Sequence, residues 1–266
     1  MSRTTMIGRS MLELLLILSI ALIPVASGLA VMVYQQDRKL AENARISLQE
    51  AIYSVDLSLD RLHARAANAL ALADQPCTVV KPNLIKQVTE TRYLRSLVLI
   101  RNDEVYCSSM PGVADSAILF AEAHAPLQLI VDPELTPRGA LLTYKLRSDD
   151  FSAVATAYAE QLRAELKGFQ DGLTLLLEVG DAYIWNGDSR DLTRPSQTEY
   201  FQQAVSDRYG YTVKVGYAEG YSAQEARQSM ILVLPSLVLI GIVTGFVIFW
   251  AMWRRGFQRD NAVKQR

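Results

Sequence analysis

Residues 97–112 read LVLIRNDEVYCSSMPG. The apolar run from Leu97 to Ile100 meets the polar triplet Arg101-Asn102-Asp103, and Glu104 to Cys107 carries the chain back. Two short runs rich in branched and aromatic residues, broken by Asn and Asp, predict a β-hairpin. It ends in Cys107-Ser108-Ser109, ahead of Met110-Pro111-Gly112, where two serines read most simply as turn chemistry.

More strands follow the hairpin. Residues 127–131 and 141–146 form a second pair around Pro133, Pro137 and Gly139. Residues 173–179 and 182–185 are short strands, the latter closed by Asn186-Gly187-Asp188. Tyr211, Val213, Val215 and Tyr217 alternate as a last strand. Between these, Phe151, Val154, Ala155, Tyr158, Leu162 and Leu166 predict one helix face, with Asp149 and Asp150 as its cap, and residues 197–206 predict another helix. Upstream, Leu48, Ile52, Val55, Leu59, Leu62, Ala66, Ala69 and Ala73 step alternately by four and three, a heptad seam on a long helix that no Gly or Pro interrupts before Pro76. The seam can pair with its copy in a dimer or bury against the domain's own sheet. The fold class is therefore α+β with a mostly antiparallel sheet, in the manner of Cache or PAS-like extracytoplasmic sensors.

Two apolar runs enclose this domain. Residues 14–36 are 23 without a charge, and residues 228–253 are 26. Each exceeds the roughly 20 helical residues that cross a bilayer. The first can also be read as a cleaved signal peptide, with small residues at Ala26, Ser27 and Gly28, but its apolar region continues past Gly28. Arg3 and Arg9 precede the first run, and Arg254, Arg255, Arg259, Lys264 and Arg266 follow the second against the single acid Asp260. By the positive-inside rule both termini are cytoplasmic. The expected order is a cytoplasmic N-terminus (1–10), a transmembrane helix (11–36), an external domain (37–227), a second transmembrane helix (228–253) and a cytoplasmic tail (254–266). Seven of the 27 basic and two of the 28 acidic residues lie outside the middle segment, which leaves it 20 basic, 26 acidic and a net charge of -6.

A whole-chain net charge of -1 excludes a globally basic nucleic-acid binder. With two His and two Cys, and no third ligand spaced against His63 or His124, neither a metal centre nor a histidine-based catalytic triad is expected. No Gly-rich phosphate loop occurs, and Asp181, Asp188 and Asp191 read as solvated turn acids. No cofactor is expected. Both cysteines, Cys77 and Cys107, lie in the external domain, where an even pair reads as a disulfide, the alternative being two buried free thiols.

The segment around Cys107 resembles the signature of the CSS-motif domain, the periplasmic sensor of bacterial cyclic-di-GMP phosphodiesterases. Cys77 upstream and the two flanking spans extend the resemblance. It implies a redox-responsive input domain in the bacterial inner membrane, in which the Cys77–Cys107 disulfide holds an attached phosphodiesterase down. Reduction by periplasmic thiol-redox proteins would release it, and association through the second span would favour activity. Cys107, Ser108 and Ser109 carry the motif. Family members continue into an EAL barrel, which needs on the order of 250 residues. Only 13 residues follow Trp253 and none spells the tripeptide, so the chain as given is expected to be non-enzymatic and to act on a cytoplasmic EAL-domain or other output protein.

A small-molecule Cache-like receptor with a merely structural disulfide is the other reading. A homodimer is expected through Gly241 and Gly245, a Gly-x-x-x-Gly in the lipid-embedded second span. The same stripe can instead pack on the chain's own first span, where Ala26 and Ala30 offer small residues.

Overall fold

The computed structural model describes residues 3–110, 125–131, 140–167, 172–185 and 194–264. The expectations at Pro133, Pro137, Gly139, His124, Asn186, Gly187, Asp188 and Asp191 fall outside these residues. The chain divides into two units, Met1–Ala41 with Gly220–Arg266, and Glu42–Glu219.

The first unit pairs the N-terminal part of helix α1 (Arg3–Leu70) with helix α4 (Tyr221–Lys264). Both helices hold a stretch long and apolar enough to cross a membrane. Their hydroxyls are satisfied within the helix: Ser19 donates to the Leu15 carbonyl at 2.8 Å, Ser236 to Val233 at 2.7 Å and Thr244 to Ile240 at 2.8 Å. Such internal bonding is what a lipid-exposed polar side chain requires.

The second unit is α+β, with two antiparallel sheets. After α1 come helix α2 (Cys77–Glu90) and strands β1 (Leu94–Arg101), β2 (Glu104–Ser108), β3 (Leu127–Val131), β4 (Ala140–Ser148) and β5 (Phe151–Tyr158). Helix α3 (Ala159–Lys167) leads to β6 (Leu173–Val179), β7 (Ala182–Trp185), β8 (Glu199–Val205) and β9 (Thr212–Tyr217). The first sheet has the order β2-β1-β5-β4-β3, the second β7-β6-β9-β8.

The predicted hairpin is β1–β2. Its turn residues Asn102 and Asp103 have φ of 52° and 62°, the left-handed pair that matches strand twist and that Asn and Asp tolerate. Asp149 and Asp150 do not cap a helix. They form the tight β4–β5 turn, Asp149 with φ of 46°, and residues 151–158 are a strand; only 159–167 are helical. The apolar residues of 151–158 fit both periods because this strand is buried on both faces, which erases in–out alternation. Residues 199–205 are likewise a strand, not a helix, because pairing with β9 overrides a composition neutral between the two.

The heptad seam is consumed within the chain. Leu48, Val55, Leu59, Leu62, Ala66, Ala69 and Ala73 are all buried. Tyr144, whose ring meets His63 of α1 edge-on at 5.6 Å, pairs with Ala155. Ala153, Ala155 and Ala157 therefore share the sheet face on which α1 lies, and their small size lets the helix approach. Burying a leucine such as Leu59 or Leu62 there stabilises by roughly 1.5–3 kcal/mol.

Candidate functional site

Cys77 and Cys107 form a disulfide with Cα atoms 5.2 Å apart, inside the usual range. Cys77 opens α2 and Cys107 lies near the end of β2, where it is buried. The bridge closes a 30-residue separation, and the chain-entropy model assigns such a loop about 3–4 kcal/mol.

The hairpin is shaped for this bridge by a bulge. Leu99 pairs with Cys107 and Ile100 with Val105, so Tyr106 is the extra residue of β2. A bulge re-aims a side chain, and Tyr106 donates its hydroxyl to the Ala73 carbonyl at 2.7 Å. Arg101 donates to the same carbonyl at 3.2 Å, and its guanidinium sits 4.7 Å from the Tyr106 ring centroid and 4.9 Å from that of Phe151. Burial raises the Tyr106 hydroxyl above its ordinary pKa, with Arg101 opposing the shift. The turn that follows α1 is thus held to the hairpin by two hydrogen bonds on one carbonyl, beside the covalent bridge.

The two serines have different duties. Ser109 is buried; its amide donates to the Leu97 carbonyl at 3.0 Å and its hydroxyl accepts from the Leu97 amide at 3.0 Å, which extends the β1–β2 ladder past the strand end. Ser108 accepts from the Met110 amide at 3.2 Å, a local turn contact.

Sequence reasoning missed a second polar cluster, where α1 receives the β8–β9 turn. Asp56 accepts from Ser206 and Tyr211, both at 2.8 Å. Asp60 accepts from Tyr209 at 2.5 Å and from Arg208 at 2.7 Å. The Tyr209 hydroxyl, and secondarily Arg208, hold Asp60 below the usual carboxylate range. Burial and the facing aspartates push both tyrosines well up. Asp56 and Asp60 are one turn apart on α1, but nothing in the local sequence announces partners some 150 residues away. His63 contacts the Tyr144 hydroxyl at 2.8 Å. Among the described residues no group of three or more His, Cys, Asp or Glu is placed to hold a metal.

In the first unit, Gly241 and Gly245 face α1. A Cβ on Gly241 would stand 3.0 Å from the Ala21 carbonyl oxygen and 3.1 Å from Val25, and one on Gly245 would stand 3.4 Å from the Ala21 Cβ. Leu237 in turn packs over Gly28. The stripe meets the first helix at Ala21 and Val25.

Residues 40–230 match the family described as "CSS motif domain associated with EAL", and the chain belongs to that family. It is 26% identical over 253 residues to the "Probable cyclic di-GMP phosphodiesterase PdeD" of Escherichia coli (strain K12); the match covers 90% of this chain and 47% of that protein. The chain thus spans about half the length of this curated relative and corresponds to the part that holds the CSS-motif domain. The crystallised extracellular domain of rpHK1S-Z16, named as a histidine kinase, aligns at 17% identity and a TM-score of 0.37, covering 74% of this chain and 97% of that one. That likeness is too loose to assign a fold.

Proposed function

We propose that the chain is an inner-membrane redox sensor. In this reading its external domain is periplasmic, both termini are cytoplasmic, and the Cys77–Cys107 bridge is the input. The output is a cyclic-di-GMP phosphodiesterase of the EAL type, on the same polypeptide or a partner, and the working unit is a homodimer. Periplasmic thiol-redox proteins set the state of the bridge. The observation that carries the reading is the placement of the disulfide: it joins α2 to β2 beside the Ala73 turn, and α1, which enters that turn, also holds the first apolar stretch. Opening the bridge removes the covalent tie beside that turn and leaves the Ala73 carbonyl's two hydrogen bonds, each worth about 1 kcal/mol net, as its polar link to the hairpin.

The test is a thiol titration on the full chain in native membranes. Glutathione buffers of stepped potential, followed by maleimide–polyethylene glycol labelling, should show both thiols appearing together within the range that periplasmic redox proteins command. Hydrogen exchange across residues 70–76 should rise over the same range. A bridge that stays closed until the protein unfolds, or opens with no change in exchange there, makes it a structural staple and sinks the proposal.

A further inference from the structure

The two cysteines of the bridge sit in unlike surroundings. Cys107 is 2% exposed, on a strand that β1 pairs along one side. The Cys77 carbonyl oxygen lies 3.7 Å from the Cys107 sulfur and sets a partial negative charge beside it. Cys77 is partly exposed and is the first residue of α2. Pro76, the N-cap of α2, makes no side-chain cap hydrogen bond, so no side chain there offsets the positive end of the helix. Lys81 stands one turn on from Cys77, exposed and without an ion pair among the described residues. Residues four apart are neighbours on a helix surface. Asp74, three residues before Cys77, lies where its charge acts on the Tyr106 hydroxyl.

We propose that thiol exchange enters the bridge at Cys77, with a dithiol oxidoreductase as the reductant and Cys107 as the resolving thiol. This rests on the redox reading above. A thiolate of the oxidoreductase attacks the Cys77 sulfur and forms a mixed disulfide. The Cys77–Cys107 bond breaks, and Cys107 leaves as a thiolate that takes up a proton. The second thiolate of the oxidoreductase then attacks the oxidoreductase sulfur of the mixed disulfide and expels Cys77 as a thiolate. Two electrons have passed: the oxidoreductase ends as a disulfide and this chain as a dithiol. Exchange depends on which sulfur is attacked and on access to it. The helix N-terminus and Lys81 draw an incoming thiolate to Cys77, whereas burial and the neighbouring carbonyl oxygen keep it from Cys107. The same positive groups stabilise the departing Cys77 thiolate and ease the second step. Reoxidation runs the path in reverse, with Cys77 as the nucleophile.

The test uses the oxidised full chain in lipid nanodiscs. The probe is a thioredoxin whose second active-site cysteine is replaced by Ser, so that exchange stalls at the mixed disulfide. Peptide mapping of the trapped adduct should favour Cys77 over Cys107 by about tenfold or more, because reaching Cys107 requires a local opening. In urea that unfolds the chain this preference should vanish, which assigns it to the fold. Lys81→Gln should slow native capture by about two- to fivefold, the range of one exposed charge, with the unfolding temperature unchanged. Adducts mainly on Cys107, or in equal shares, overturn the proposal and leave the redox reading standing where glutathione still opens the bridge. Absence of native capture under the same condition also overturns it. A bridge that neither glutathione nor the probe opens sinks both readings, and an unaltered rate in Lys81→Gln removes Lys81 from the path.

Discussion

At the scale of single residues, the signature tripeptide splits into a covalent tie, a ladder bond and a turn. Replacing Ser109 by Ala leaves the buried Leu97 amide without its acceptor, which costs about 1–3 kcal/mol. The same change at Ser108 removes only a local turn contact and should cost less than half as much by chemical denaturation; equal losses would refute the division of labour. Asp60 gives a pH prediction. Its folded pKa lies below its unfolded value, so its contribution is complete above about pH 4 and fades as pH falls through the folded value. Hydrogen-exchange protection in the 206–211 turn, taken relative to the intrinsic rate at each pH, should therefore fall as pH drops below about 4 in the wild type. Asp60→Asn should flatten that dependence, and an unaltered profile in the variant would remove Asp60 as its cause. The cysteines were legible in the sequence because an even pair confined to one domain reads as a disulfide. The Asp60 cluster was not, because an acid on a helix looks solvated until the fold delivers Tyr209 and Arg208 to it.

Among elements, strands rich in branched residues and bounded by turn signals were legible, and β5 and β8, which are poor in branched residues, were not. The β1–β2 hairpin, β6, β7 and β9 follow from turn chemistry and branched residues. β5 carries alanines toward α1 and Ser152, Val154 and Thr156 on its other face, all buried, so its pattern fits two periods. α2 went unread because Pro82 lies inside it, where the missing amide argues against a helix. The glycine stripe of α4 was legible as a close-packing surface but not as to its partner, since any small-residue stripe fits either a second copy or the chain's own helix. A Cβ added at Gly245 would stand 3.4 Å from that of Ala21, close to the separation in a disulfide. An Ala21→Cys, Gly245→Cys variant, oxidised in membranes, should therefore close a bridge within one chain and run as a monomer on a non-reducing gel. A covalent dimer as the main product would assign the stripe to a second copy.

For the molecule as a whole, the charge pattern and the two apolar helices bear on one question, the side of the membrane on which each part lies. The flanks carry seven basic residues against Glu13 and Asp260, while residues 37–227 have a net charge of -6. Short basic flanks resist translocation and long domains cross largely regardless of charge, so the arrangement with the fewest conflicts keeps both flanks inside. If both apolar helices cross, the chain returns to its starting side, which agrees with basic residues at both ends. At the second flank Arg254 lies 5.4 Å from the Trp250 ring centroid. We predict that alkaline phosphatase fused after Arg266 is inactive in cells and that green fluorescent protein fused there fluoresces, whereas phosphatase inserted in the β8–β9 turn is active. The reverse pattern would invert the topology. Sequencing the N-terminus of the membrane-bound protein tests the remaining branch, because a chain starting near Gly28 would mean that a signal peptide had been removed. Such cleavage would take away Ala21, the residue on which Gly241 and Gly245 pack.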